Sequence, residues 1–219
     1  MRFNSNTEKQ KEILMNNPFD PGFYDETELK KAGFKSLGNN IRIAKNCTII
    51  SPENIKIGDN VRIDGYCTIT ASGDGWLTIG SHVHIGGNST IIAGGGILMN
   101  DFSGISQGVR IYSTTDDYSG KKLTNPTVKK KYTGVVKGTV TLGRHVIIGS
   151  GTVILPNVSI GDGSAVGALS LVNKSLDSWG IYFGIPAKRI KSRSKYLLEL
   201  EAQLGHDEIS RKNQITQDE

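Results

Sequence analysis

The sequence predicts an all-β fold, a parallel β-helix of hexapeptide repeats with short N-terminal helices and a C-terminal α-helix. Three observations carry that reading. First, aliphatic residues recur every six positions in triplets: Leu37, Ile43, Ile49; Ile57, Ile63, Ile69; Ile79, Ile85, Ile91; Met99, Ile105, Ile111; Leu142, Ile148, Ile154; and Ile160, Val166, Val172. None of these eighteen positions is polar, whereas roughly a quarter to a third would be aliphatic by composition alone. Second, a small or β-branched residue stands two places earlier, as at Cys47, Val61, Cys67, Val83, Ser89, Val109, Val146 and Thr152. Positions two apart in a strand face the same side. Third, glycine often follows the aliphatic residue, as at Gly38, Gly58, Gly86 and Gly149, and glycine tolerates the backbone angles of a sharp corner. Each hexapeptide is therefore a very short strand plus a corner. Three strands close a triangular coil, and stacked coils form parallel sheets. The three- and four-residue spacing of an amphipathic helix is missing from this region, as are the regular polar hairpin turns of a sandwich.

Composition agrees. The chain has 219 residues, 27 of them glycine, with 37% hydrophobic and only 7% aromatic residues, which suits many tight turns and aliphatic filling. A net charge of +5 does not by itself argue for nucleic acid. The opening MRFNSNTEKQKE lacks the apolar core of a signal peptide, and no apolar run is long enough to cross a bilayer. The expectation is a cytoplasmic protein without membrane insertion. Cys47 and Cys67 have no metal-ligand spacing. They are expected to be reduced, buried thiols, and no metal is expected.

Successive triplets are separated by 8, 10, 8, 31 and 6 positions, where 6 means no insertion. The large gap expels a loop, residues 113–139. A loop this long inside a periodic region is usually functional. Three segments follow: a helical cap over 1–36, the β-helix over 37–175, and a C-terminal part over 176–219. Helices are expected over 6–16 and 25–33, capping the open sheet edges of the first coil. Leu197, Leu200 and Leu204 predict a helix over 191–204, followed by a frayed polar tail.

The stretch LGRHVIIGSGTVILPNVSIGDGSAVGALSLVNKSL, followed by GIPAKRI, resembles the hexapeptide-repeat acyltransferases, which include galactoside, xenobiotic and serine acetyltransferases and sugar acetyltransferases of surface-polysaccharide (O-antigen) pathways. The resemblance covers residues 37–190. It implies a left-handed coil, acetyl-CoA as co-substrate, and a homotrimer with active sites between subunits beside the extruded loop. Many members carry a catalytic histidine shortly after the last aliphatic residue before that loop. This chain reads IYSTTDDYSG from Ile111 and has no histidine in the loop. Asp116 and Asp117 stand in that place. A carboxylate can attract an ammonium group and accept its proton, which favours an amine acceptor; the pair could equally form a turn. His84 precedes inward Ile85 and should point outward, stacked on Arg62 of the preceding coil. A nearby positive charge favours the neutral imidazole that a general base needs. His82 and His145 fall at corners, on the surface.

By position, the resemblance assigns CoA binding to Ser150, Ala168, Asn173, Lys174, Pro186, Lys188 and Arg189. Small residues let a pantetheine arm reach backbone N–H and C=O groups, and Lys188 and Arg189 suit its phosphates. The loop is basic, and Tyr118, Lys129, Lys130 and Lys131 are candidate contacts for the phosphates of a nucleotide-linked sugar. The resulting reading is N-acetylation of a GDP- or dTDP-linked 4-amino-deoxysugar such as perosamine. The alternative is O-acetylation of a sugar hydroxyl. A zinc carbonic anhydrase on this fold would need three histidines meeting at a subunit interface, and His82, His84 and His145 do not reproduce that spacing. About 35 residues before the coils are too few for a nucleotidyltransferase domain.

Overall fold

The structure, a computed structural model, describes residues 17–217, with side chains of the last helix described as far as Asp207. The helix expected over 6–16 lies outside the described residues. Helix α1, Glu26–Lys31, is closed by a capping box between Asp25 and Glu28, and buries Leu29 beneath the first coil.

The coils form three faces. The first face is a six-stranded parallel sheet, from Ser36–Leu37 through Ile55–Ile57, Leu77–Ile79, Ile97–Met99 and Val140–Leu142 to Ser159–Ile160. The second runs from Ile41–Ile43 through Val61–Ile63, His84–Ile85, Gly104–Ile105, Ile147–Ile148 and Ala165–Val166 to Gly180–Phe183. The third runs from Thr48–Ile50 through Thr68–Thr70, Thr90–Ile92, Arg110–Tyr112 and Val153–Ile154 to Leu171–Val172. Register is strict: Ile63 pairs with Ile85, and Ile105 pairs with both Ile85 and Ile148. The inward column of each face is thus one ladder of aliphatic side chains, and Ile43, Ile85, Ile91, Ile111, Leu142 and Ile148 have no exposure at all. A parallel sheet buried on its inner face needs this uninterrupted apolar column.

The glycines after the aliphatic residues have a different role from the one expected. None of Gly38, Gly58, Gly80, Gly86, Gly143, Gly149, Gly161 and Gly167 has a positive φ; the left-handed residues lie two places later, at Asn40, Asn60, His82, Asn88, His145, Gly151, Gly163 and Leu169. What the glycines provide is clearance. A Cβ on Gly149 would stand 2.4 Å from the Ala168 amide nitrogen of the next coil. Stacking at about 4.8 Å brings corner backbone that close.

The C-terminal segment also departs from expectation. Lys188–Ser192 is a strand, antiparallel to Gly180–Phe183, and it covers the last edge of the second face. The final helix, α2, begins later and runs Leu197–Gln217, so the tail expected to fray is helical. Glu201 on α2 reaches back to Arg144 and to His145, whose Nε2 lies 2.7 Å away. His145 is therefore nearly buried, its side chain 10% exposed, and it stacks on Phe102, which stacks on His82.

Candidate active site

Two regions of the solenoid carry the chemistry-bearing side chains, and they lie at different corners. The first is the expelled loop, at the corner between the third and first faces. Its root is tightly held. Ser113 is buried, its hydroxyl donates to the Ile92 carbonyl at 2.9 Å and accepts from the Gly95 amide at 2.9 Å, and its own carbonyl receives the Gly138 amide at 2.9 Å. Thr114–Thr115 and Val136–Lys137 leave as an antiparallel ribbon, and Lys137 pairs with Asp74 on the neighbouring coil. The loop thus leaves after the strand Arg110–Tyr112 and returns before Val140–Leu142.

Within the loop the two aspartates have separate roles. Asp117 accepts the Ser119 amide and hydroxyl, each at 2.9 Å, an Asx turn of the kind aspartate favours. Those hydrogen bonds hold its carboxyl below the ordinary carboxylate range. Asp116 makes no hydrogen bond or ion pair among the described residues and is half-buried at the ribbon's end. Tyr118 is 92% exposed. Lys129, Lys130 and Lys131 are exposed around a 3-10 turn, Lys130–Tyr132, with the Lys131 ammonium over the Tyr132 ring.

The second region is the corner between the second and third faces. His84 points outward and pairs in register with Arg62, as expected from its place in the repeat. Sequence reasoning missed Asp64. Its carboxylate receives Arg62 Nε at 2.6 Å on one oxygen and meets His84 Nε2 at 2.8 Å on the other. Asp64 follows Arg62 by two, so the alternation that turned Arg62 outward also points to it. Burial pushes its pKa up, but the hydrogen bonds from His84 and Arg62, with their charge, outweigh that and hold it below the ordinary value.

Higher on the same corner, Ser106 is in register with Gly149 and Gly167, and Ser150 and Ala168 stack on each other one residue later. The Leu169 amide donates to the Ser150 carbonyl at 2.8 Å. The turn Gly184–Ala187 lies above them, because Leu171 donates to the Gly184 carbonyl at 3.0 Å and Ala187 to the Leu171 carbonyl at 2.8 Å. The structure thus stacks Ser150 and Ala168 in one column beside the Gly184–Ala187 turn, with Asp64 on a lower coil of the same corner, one residue earlier in register. Asn173 and Lys174 lie across the third face, at its far corner. Lys188 and Arg189 are on the exposed edge strand, where Arg189 donates to Ser192.

Known proteins match this architecture and its repeat. Residues 139–174 match the family model for the bacterial transferase hexapeptide (six repeats). The chain is 44% identical over 180 residues to a dTDP-4-amino-4,6-dideoxy-D-glucose acyltransferase of Escherichia coli, covering 82% of this chain and 93% of that one. The chain belongs to the hexapeptide-repeat acyltransferases. The N-acyltransferase AntD from Bacillus cereus, solved with dTDP and coenzyme A, superposes with a TM-score of 0.81 at 44% identity, covering 85% of this acyltransferase and 99% of AntD. It has also been solved with dTDP and 3-hydroxybutyryl-CoA. A GDP-perosamine N-acetyltransferase from Caulobacter crescentus, at 18% identity and a TM-score of 0.52, shares the fold alone.

Ser150 and Ala168 are exposed, and basic Lys188 and Arg189 lie on the last strand of the second face. Among the described residues no group of three or more His, Cys, Asp or Glu could hold a metal ion. His82 stacks in a corner while His84 bonds Asp64. No helix among the described residues is long and apolar enough to cross a membrane.

Proposed function

We propose that the protein transfers an acyl group from a CoA thioester to the 4-amine of a dTDP-linked 4-amino-4,6-dideoxy sugar. The observation that carries this is the 44% identity, over most of both chains, with an acyltransferase named for that acceptor, at an enzyme fold superposing on AntD with dTDP-4-amino-4,6-dideoxyglucose and coenzyme A bound. Ser150 and Ala168, beside the Pro186 turn, hold the pantetheine arm, with Lys188 and Arg189 near its phosphates; Asn173 and Lys174, at the far corner of the third face, meet a CoA held by a neighbouring subunit. Asp116 attracts the sugar's ammonium group and accepts its first proton, leaving the neutral amine that attacks. AntD variants replace one aspartate, or one serine ten positions before it. In this chain Ser106 and Asp116 are the one Ser-to-Asp pair at that spacing, which supports Asp116 over Asp117. A serine hydroxyl can donate to a developing oxyanion.

Ser106 and Asp116 flank the third face, so on one chain they stand on the order of 10 Å or more apart. Reacting groups must meet at about 3 Å. A site completed by a neighbouring subunit, as in a homotrimer, resolves this. Two free thiols agree with a reducing compartment, the cytoplasm. The test is acetyl-CoA with dTDP-4-amino-4,6-dideoxyglucose, GDP-perosamine and hydroxyl sugars in parallel, following thiol release. Turnover with the dTDP amine is expected. Turnover with hydroxyl acceptors alone would make the protein an O-acyltransferase and overturn the reading.

A further inference from the structure

Three features of the second face meet at one place. The first is the Asp64–His84 pair. An ionised carboxylate only accepts hydrogen bonds, and Asp64 is held in its ionised form. Nε2 of a neutral His84 is therefore the donor across the 2.8 Å contact, and the lone pair sits on Nδ1.

The second is Gly104, directly above His84 in the sheet and directly below Ile147. Glycine inside a strand weakens it, and is usually kept for a special backbone angle or a close approach. Gly104 has no positive φ. The nearest atom to a Cβ built there is the His84 carbonyl oxygen, at an ordinary 3.7 Å. Its neighbour Gly86, by contrast, could not carry a Cβ, which would lie 2.7 Å from the Gln107 amide. Nothing within the described chain requires glycine at 104. Its effect is a notch, open outward, between two half-exposed side chains, His84 and Ile147. The third feature is place. Ser106 follows Gly104 by two, on the same side, at the same corner as Ser150 and Ala168 and one residue earlier in register.

We propose that Asp64 is a positioning residue that fixes His84 as its Nε2–H tautomer, and that the notch over Gly104 admits the thioester carbonyl and its acyl group to Nδ1. This rests on the acyl-transfer reading. As the amine nitrogen bonds to the carbonyl carbon, it sheds a proton to Nδ1. As the carbon–sulfur bond breaks, that proton passes to the thiolate sulfur, giving the amide and a free thiol. Asp64 stays ionised throughout and stabilises the transient imidazolium.

The test combines long-range proton–nitrogen NMR of the labelled full chain with kinetics of Asp64→Asn, Asp64→Glu and Gly104→Ala. Wild type should show His84 protonated at Nε2. Asp64→Asn should give mixed tautomers and a kcat roughly tenfold or more lower, with KM changed less than about twofold, and Asp64→Glu should restore part of the rate. Gly104→Ala should keep the wild-type oligomer and melting temperature while weakening acetyl-CoA binding about tenfold. An Nδ1–H tautomer in wild type overturns the proposal, as do unchanged kcat in Asp64→Asn and unchanged binding in Gly104→Ala. Dissociation of the Gly104→Ala oligomer would make the notch a subunit contact and also overturn it. If no amine is acylated at all, the acyl-transfer reading fails, while the tautomer and the acetyl-CoA affinity still decide the two structural claims.

Discussion

Replacing each loop aspartate by asparagine separates chemistry from scaffolding. Asp117 receives the Ser119 amide on one oxygen and the Ser119 hydroxyl on the other. In Asp117→Asn the amide oxygen still accepts the backbone N–H, and the new NH2 group can donate to the hydroxyl, which both donates and accepts. The turn survives, and kcat/KM should fall less than about threefold. Asp116 spends no charge on a partner among the described residues, so Asp116→Asn removes its whole attraction for an incoming ammonium. Two unit charges about 4 Å apart are worth roughly 1 kcal/mol in water and 4 kcal/mol near a protein surface. At roughly 1.4 kcal/mol per factor of ten, kcat/KM should fall between about fivefold and a thousandfold. The assay is initial-rate thiol release with the amino sugar varied at saturating acetyl-CoA. Equal losses in the two variants, or a larger loss in Asp117→Asn, would refute the division of roles.

Ser103 is buried in the inward column between Val83 and Val146, and its hydroxyl has no hydrogen-bond partner among the described residues. Ser103→Ala removes that unsatisfied group and should stabilise the fold by about 1 kcal/mol, read as a higher urea midpoint at unchanged slope; a lower midpoint would show that filling this position matters more than its polarity. Cys47 and Cys67 are stacked on adjacent coils, and the Cys67 thiol lowers Cys47 to about 7 while Cys67 is pushed up. Iodoacetamide should therefore modify half-buried Cys47 first, at a rate that rises with pH through about 7 as its thiolate forms; peptide mapping that finds Cys67 alkylated first would contradict the assignment.

The solenoid was legible because one inward column is repeated coil after coil, so each aliphatic triplet re-reads the same geometry. The loop was legible as the single large break in that repeat, and its root at Ser113 and Gly138 falls within a residue of the predicted limits. The reason for the glycines was not legible: period shows where a corner is, but not which of its residues turns left-handed and which lies against the next coil. The strand Lys188–Ser192 was hidden because KRIKS carries no alternating apolar face; it forms by covering an exposed sheet edge, a tertiary cause. Asp116 and Asp117 are adjacent and chemically identical, and only Ser119, two residues beyond Asp117, tells them apart. Asp64 required stacking and alternation to be applied together, since it meets His84 diagonally, one coil below and two residues along.

The separation of the two regions has a consequence that mixed oligomers can test. His84 and Ser106 lie at one end of the third face and the Asp116 loop at the other, so a site using both draws them from different chains. Asp116→Asn and His84→Asn chains are first assayed alone, and the readout is activity of the mixture above the mean of those two baselines. In a random one-to-one mixture, an interface is intact when the loop comes from a His84→Asn chain and the corner from an Asp116→Asn chain. In a cyclic assembly with one loop and one corner at each interface, about one quarter of the sites meet that condition. Co-expression with two tags, followed by tandem purification to select mixed oligomers, should recover on the order of a quarter of wild-type activity or somewhat more. If loop and corner of the same chain served one site, every site would contain a lesion and mixing would recover nothing. That null result would overturn the shared site while leaving the fold, the family and the acyl-transfer reading in place.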